Sequence, residues 1–198
     1  MEFQDVLRRR RMVRSFEKRP IPPETVARIL RNAQRAPSAG FSQGWGFLAL
    51  QAPHETAQYW DAVGPADRDA FRFPDLFAAP LLVVCFSHKA AYLDRYAEAD
   101  KGWTDRSEAR WPAPYWDIDT GMAALLMLLT AVDAGLGALF FGLPPEKFDA
   151  LRHTFGVPPA FQPIGTLAIG YPRADDPASA SVHRGHRPAD QVVHYGRW

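Results

Sequence analysis

A chain of 198 residues is the size of one ordinary domain and can bury about 70% of the surface its unfolded form exposes, so it needs no staple. Hydrophobic residues at 47% and charged residues at 23% lie near globular averages and exclude a disordered or fibrous polypeptide. The formal net charge of +1, from 23 Lys and Arg against 22 Asp and Glu, supplies no global field for a polyanion and argues against nucleic acid as a partner.

In chain order, Phe3, Val6 and Leu7 share one helix face and predict a short first helix that runs into an arginine cluster. Pro22, Pro23 and Glu24 mark a second helix start, and Val26, Ile29, Leu30 and Ala33 repeat at helical spacing until Pro37 stops the pattern. The turn sequence PSAGFSQG leads into a buried strand from Trp45 to Gln51, residues 54–64 read as helix, and Pro80 to Ser87 reads as a second buried strand. Lys89 to Trp116 is polar and aromatic, part helix and part long loop. Asp117 or Asp119 is placed to cap the next helix, which is apolar almost all round to Val132 and ends at Gly135 and Gly137. Ala138 to Phe141 is a third strand, Pro144 to Phe155 a helix stopped by Gly156, and Pro163 to Gly170 a fourth strand. The tail from Tyr171 is polar yet carries Val192 and Val193. Residues 1–198 form one domain without repeat or linker, in which helices separate three of the four strands from the next, so the class is α/β or α+β.

The longest apolar run, Met122 to Val132, is shorter than the roughly 20 residues of a membrane span. The single cysteine, Cys85, lies in an apolar run as a small core hydrophobe. With no apolar leader in MEFQDVLRRR, that lone thiol leads us to expect a cytoplasmic protein with no membrane partner.

Two arginine-bearing segments bracket the chain: Arg8, Arg9, Arg10, Arg11 and Arg14, then Arg184, Arg187 and Arg197. Guanidinium binds phosphate through paired donors and keeps its charge, each such bond contributing about 1.5–3 kcal/mol, so a phosphate monoester is the simplest ligand needing both segments. The plain alternative is that these arginines solvate helix ends. In PSAGFSQG the small residues let backbone N–H groups approach a ligand, while Gln43 offers donor and acceptor to a heteroaromatic ring; the same Gly and Ser also suit simple turn punctuation.

The ordered set of these motifs resembles the FMN-dependent nitroreductase family. Arg10, Arg11, Met12, Val13, Arg14, Ser15 and Phe16 match the family's first motif except at Met12, where a Ser is usual. Ala36, Pro37, Ser38, Ala39, Gly40, Gln43 and Trp45 match its second motif, with Phe41 and Gly44 departing from it. Gly135, Leu136 and Gly137, then Phe141 and Gly142, then Gly170, Tyr171 and Pro172 follow in family order, as do Arg184, Arg187, Pro188, Val192 and Val193.

The resemblance implies an α+β fold, with a mainly antiparallel central sheet flanked by helices, and an intertwined homodimer. It implies FMN as cofactor, NADPH or NADH as electron donor, and a small-molecule acceptor such as a nitroaromatic or quinone. Cofactor contacts are then expected from Arg10, Arg11, Met12 and Arg14, from Arg184 and Arg187, and from Phe141, Gly142 and Leu143 by main chain. The turn of Pro37, Ser38, Ala39, Gly40 and Gln43 is expected from the second subunit, with Arg14 beside the pyrimidine edge. Phe41, Trp103 and Trp111 are the candidates for touching substrate, although the tryptophans equally suit core or dimer packing. The flavin does the redox work, so no acid-base residue of the chain is required.

Gly40, Phe41, Ser42, Gln43 and Gly44 also spell the G-x-S-x-G hydrolase elbow, but that elbow follows a strand and opens a helix, the reverse of the order here. His183 and His186 lack carboxylate or cysteine companions at ligand spacing, so no metal is expected. A flavin-binding sensor or store without turnover, or a specialised flavin-fragmenting or dehalogenating enzyme, stands as the alternative function.

Overall fold

The structure is a computed structural model that describes residues 1–176 and 180–198, with the backbone alone at 180 and 181. The elements follow in the order α1 (Phe3–Arg9), α2 (Pro23–Ala33), β1 (Trp45–Leu50), α3 (Pro53–Val63), β2 (Leu81–Ser87), α4 (Lys89–Ala97), α5 (Tyr115–Asp133), β3 (Gly137–Phe141), α6 (Phe148–Phe155) and β4 (Gln162–Gly170). Every predicted strand and helix is present.

The four strands form one antiparallel sheet in the order β1-β2-β4-β3. β2 is buried at every position because its alternate residues enter two different cores. Leu81, Val83 and Cys85 face Val26, Ile29 and Ala33 of α2 and Ala123 and Met127 of α5. Leu82, Val84 and Phe86 face Tyr59, Trp60 and Val63 of α3 and Leu151 of α6. Helices on both faces explain why β2 reads as a continuous apolar run, although its neighbours are antiparallel. The α+β alternative is therefore the one realised.

Local signals hold at several element ends. Pro23 opens α2 at the position where its missing N–H costs nothing, and Gly156 closes α6 in the left-handed conformation at φ 64. The predicted caps of α5 are a correction. The helix opens one turn earlier, with Pro114 at its N-cap. Asp117 instead accepts a hydrogen bond from Ser87 Oγ at 2.6 Å, and Asp119, only 2% exposed, reaches across to α4 and the PSAG turn. Both carboxyls lie inside the first two turns, and their hydrogen bonds go to Ser87, Tyr92 and Ala39 on other elements instead of to the helix's own free N–H groups.

α5 is the one described helix long and apolar enough to cross a membrane by composition, and half of that stretch is buried against the sheet and α2. Cys85 is fully buried, as expected of a core hydrophobe, and its burial pushes the thiol pKa up to about 12.

Candidate cofactor site

The arginine segment leaves α1 as extended chain tied to the edge strand β3. Val13 donates its N–H to Ala138 O at 3.0 Å, Met12 forms a parallel bridge with Ala138, and Phe16 bridges Pro172. Buried Val13 and Phe16 anchor the segment while Arg10 and Arg14 stay half-buried and Arg11 is exposed. Asp176 organises the arginines: it ion-pairs with Arg11 and accepts the Arg14 N–H at 2.8 Å. Arg10 and Arg14, by contrast, have no carboxylate partner among the described residues. The Arg14 guanidinium donates to Met12 O at 3.1 Å and lies 5.4 Å from the centre of the Phe73 ring. Arg72 sits 5.2 Å from the same ring. A cleft of about 140 Å³ opens beside the segment, lined by Arg9, Arg11, Gly135, Leu136, Gly137 and Pro172 among others.

The PSAG turn sits before β1, at the opposite edge of the sheet. It combines three positive φ angles in four residues: 61 at Gly40, 56 at Phe41 and 49 at Gln43. Such angles are uncommon for residues with a Cβ. The backbone holds them because it is clamped. Ala39 N–H donates to Asp119 Oδ2 at 2.8 Å, Arg95 Nε donates to Gly40 O at 2.9 Å, and Gln43 N–H donates to Ser38 Oγ at 3.0 Å. Tyr92 donates its hydroxyl to the same Asp119 oxygen at 2.8 Å; burial first, then that bond, raises the phenol well above its ordinary value.

Gly40 has no room for a side chain, since a Cβ there would lie 2.6 Å from the Tyr96 ring. Pro37 is exposed and Ser38 and Ala39 are half-buried, while Phe41 stands 73% exposed at the tip. Trp103 and Trp111 pack with each other, with Tyr96 and, for Trp111, with Tyr92, Tyr115 and Trp116; they form a wall behind the turn.

At the end of β3, Phe141 stacks on Trp60 with ring centres 5.8 Å apart, and the chain continues through exposed Gly142 and half-buried Leu143. Arg184 and Arg187 are exposed, and the Arg187 guanidinium contacts Gln191 O of its own tail. No hydrogen bond or ion pair among the described residues joins either one to the N-terminal arginines.

Within one chain, then, the arginine segment and β3 come together while the PSAG turn lies three strand spacings away, roughly 14 Å across the sheet. A cavity of about 570 Å³ among Ile21, Val26, Trp60, Phe77 and Leu81 holds none of the candidate cofactor or substrate residues.

Four residues at the site escaped sequence reasoning: Asp176, Arg72, Arg95 and Asp119 in its clamping role. Only Asp119 leaves a local trace, as one of two carboxylates near the start of a mostly apolar helix. Ser42 Oγ donates to Ala39 O at 2.6 Å in a turn that opens a strand, which removes the hydrolase elbow. No cluster of three or more metal-ligating side chains occurs among the described residues.

Comparison with known proteins agrees with this architecture. The family model described as "Nitroreductase family" matches residues 7–171. The 5,6-dimethylbenzimidazole synthase of Rhodospirillum rubrum is 31% identical over 183 residues, covering 85% of this chain and 81% of that protein. A nitroreductase family protein of Streptococcus pneumoniae superposes with TM-score 0.74 at 18% identity, covering 98% of this chain and 99% of the other. An FMN-dependent nitroreductase of Clostridium difficile gives TM-score 0.69 at 19% identity over 98% of both chains. These two structural likenesses show the shared fold. With the family model spanning most of the sequence, the chain belongs to the nitroreductase family.

Proposed function

We propose that this protein is an FMN-dependent oxidoreductase that works as a homodimer, taking electrons from NADH or NADPH and passing them to a small organic acceptor such as a nitroaromatic or quinone. The observation that supports the reading is the placement of two candidate segments at opposite sheet edges: guanidiniums with no carboxylate partner among the described residues at β3, and a strained, clamped turn at β1.

The residues fit the cofactor. Arg10 and Arg14 offer charged donors for a phosphate, joined in the dimer by Arg184 and Arg187, while Arg11 is already engaged by Asp176. Arg14, held against Phe73, would face the pyrimidine edge, where a cation stabilises the negative charge that reduction brings. Met12, Phe141, Gly142 and Leu143 would pass the ring by main chain, and Pro37, Ser38, Ala39, Gly40 and Gln43 would arrive from the second copy. Bound FMN supplies the two-electron chemistry; the chain supplies position and charge.

The dimer reading is supported by α5, where Ile118 and Leu125 are 44% and 47% exposed and a Cβ on Gly121 would meet nothing. Phe3 and Leu7 of the adjoining α1 are exposed as well, as are Val192 and Val193 in the tail. A reducing cytoplasm fits the lone, buried Cys85.

The test is the visible spectrum of the purified protein. Flavin bands released by heat as the mononucleotide, and bleached anaerobically by NADH or NADPH, are expected; a colourless protein that takes up no added FMN sinks the proposal. The 31% identity to a 5,6-dimethylbenzimidazole synthase favours one second reading, flavin fragmentation. Aerobic incubation with excess reduced FMN, followed by chromatography for 5,6-dimethylbenzimidazole, separates the two.

A further inference from the structure

A phenylalanine at φ 56 is under backbone strain, and Phe41 recovers little of that cost by packing, since 73% of its surface faces solvent. Glycine would relieve the strain, and asparagine tolerates the left-handed region better. The turn nevertheless forces the ring outward. Asp119 and Arg95 hold the backbone just before it through Ala39 N–H and Gly40 O, and the Phe41 N–H itself donates to Ser38 O at 2.9 Å. Tyr96 occupies the space beneath Gly40, and Trp111 and Trp103 close the wall behind it. A strained, over-determined conformation that exposes an aromatic ring is the arrangement expected where the ring meets a ligand.

We propose that Phe41 is a specificity-determining residue, delivered by its clamped turn to the cofactor face of a second copy, where its ring stacks on planar aromatic acceptors and selects them over non-aromatic ones. The proposal rests on the flavin-reductase reading above. Its geometric basis is the same separation across the sheet: Phe41 lies at the β1 edge and the arginine segment at the β3 edge, so the ring serves the neighbouring site. Offset or edge-to-face stacking on a flat acceptor accounts for the chemical class.

The experiment compares wild type with Phe41→Leu, Phe41→Trp and Phe41→Gly as purified holoproteins. In Phe41→Leu the preference for an aromatic quinone or nitroarene over ferricyanide, as a ratio of kcat/KM values, is expected to fall roughly three- to tenfold through KM, with Phe41→Trp restoring it. The dissociation constant of benzoate, a flat acid that cannot be reduced, read from its perturbation of the visible flavin bands, is expected to rise by a similar factor in Phe41→Leu. Phe41→Gly is expected to raise the melting temperature, because it relieves the positive φ.

An unchanged selectivity ratio overturns the proposal. So does a lowered melting temperature in Phe41→Gly together with dissociation of the dimer, which makes Phe41 an interface anchor. A wild-type protein that binds no FMN fails the underlying reading instead, and that outcome is visible before any variant is made.

Discussion

Asp119 brings a carboxyl group to a site 2% exposed, with no cation against it among the described residues, and spends both contacts on holding other groups: the Ala39 amide and the Tyr92 hydroxyl. Its removal would leave the buried Tyr92 hydroxyl and the half-buried Ala39 amide without this acceptor, at a cost of about 1–3 kcal/mol for the hydroxyl. Asp119→Ala is therefore expected to lower the melting temperature by several degrees and to weaken FMN binding, since the turn it holds loses its fixed shape. A variant with wild-type melting and wild-type flavin affinity, measured by calorimetry and fluorescence titration, removes Asp119 from the clamp. Cys85 poses the opposite case, a side chain isolated by its surroundings. Burial alone raises its thiol to about 12, so almost no thiolate exists at neutral pH and no solvent path reaches the sulfur. A thiol-specific disulfide reagent is expected to titrate no cysteine in the folded protein and a single one in denaturant. Rapid labelling under native conditions contradicts the packing of β2.

At the scale of elements, α3 shows how a helix start is stabilised without a polar N-cap. Ala52 stands at the cap, and Glu55 reaches back to accept the amides of Gln51 and Ala52 at 2.8 and 2.9 Å. Those amides, Ala52 before Gln51, lower the Glu55 pKa from its ordinary value of 4.5. A depressed carboxyl pKa stabilises the fold above the unfolded value, and the contribution is lost as pH falls through the folded one. Glu55→Ala is thus expected to cost about 1 kcal/mol at neutral pH, or about 2–4 °C in melting temperature, with the gap to wild type closing as pH drops below the ordinary value. A gap that stays constant down to acid pH shows that the carboxylate is not the cause.

That cap was hidden in the sequence, where residues 54–64 read as helix but Glu55 carried no signal of its own. β2 was legible because burial on both faces writes an almost unbroken apolar run, and the end of α6 was legible because Gly156 alone accommodates its φ cheaply. Asp117 and Asp119 misled, since a carboxylate near a helix start has the same local pattern whether it caps the helix or crosses to another element. The partners that settle the matter are distant: Ala39 lies 80 residues from Asp119, and Arg14 lies 162 from Asp176. Strand order and the outward turn of Phe41 are likewise products of tertiary closure. The arginine and PSAG motifs could be read in order along the chain, while their placement at opposite sheet edges could not.

For the whole molecule that placement has a strict consequence. A two-fold symmetric pair contains two equivalent sites, and in our proposal each draws its arginines from one chain and its turn from the other. One variant can then be damaged only in the arginines, Arg10→Ala with Arg14→Ala, and a second only in the turn, Gly40→Val, whose side chain would meet Tyr96 at 2.6 Å on a backbone at φ 61. Each homodimer has two damaged sites. In a heterodimer, purified through two different affinity tags after co-expression, one site receives both lesions and the other receives neither. The expected result is roughly half the wild-type FMN content per dimer, with NAD(P)H oxidation restored in proportion, although both parents bind little or none. If arginines and turn served the same cofactor within one chain, every site of the heterodimer would carry one lesion and no flavin would return. Native mass spectrometry of the tagged pair confirms that the dimer has formed, so an empty heterodimer refutes the shared site rather than the assembly.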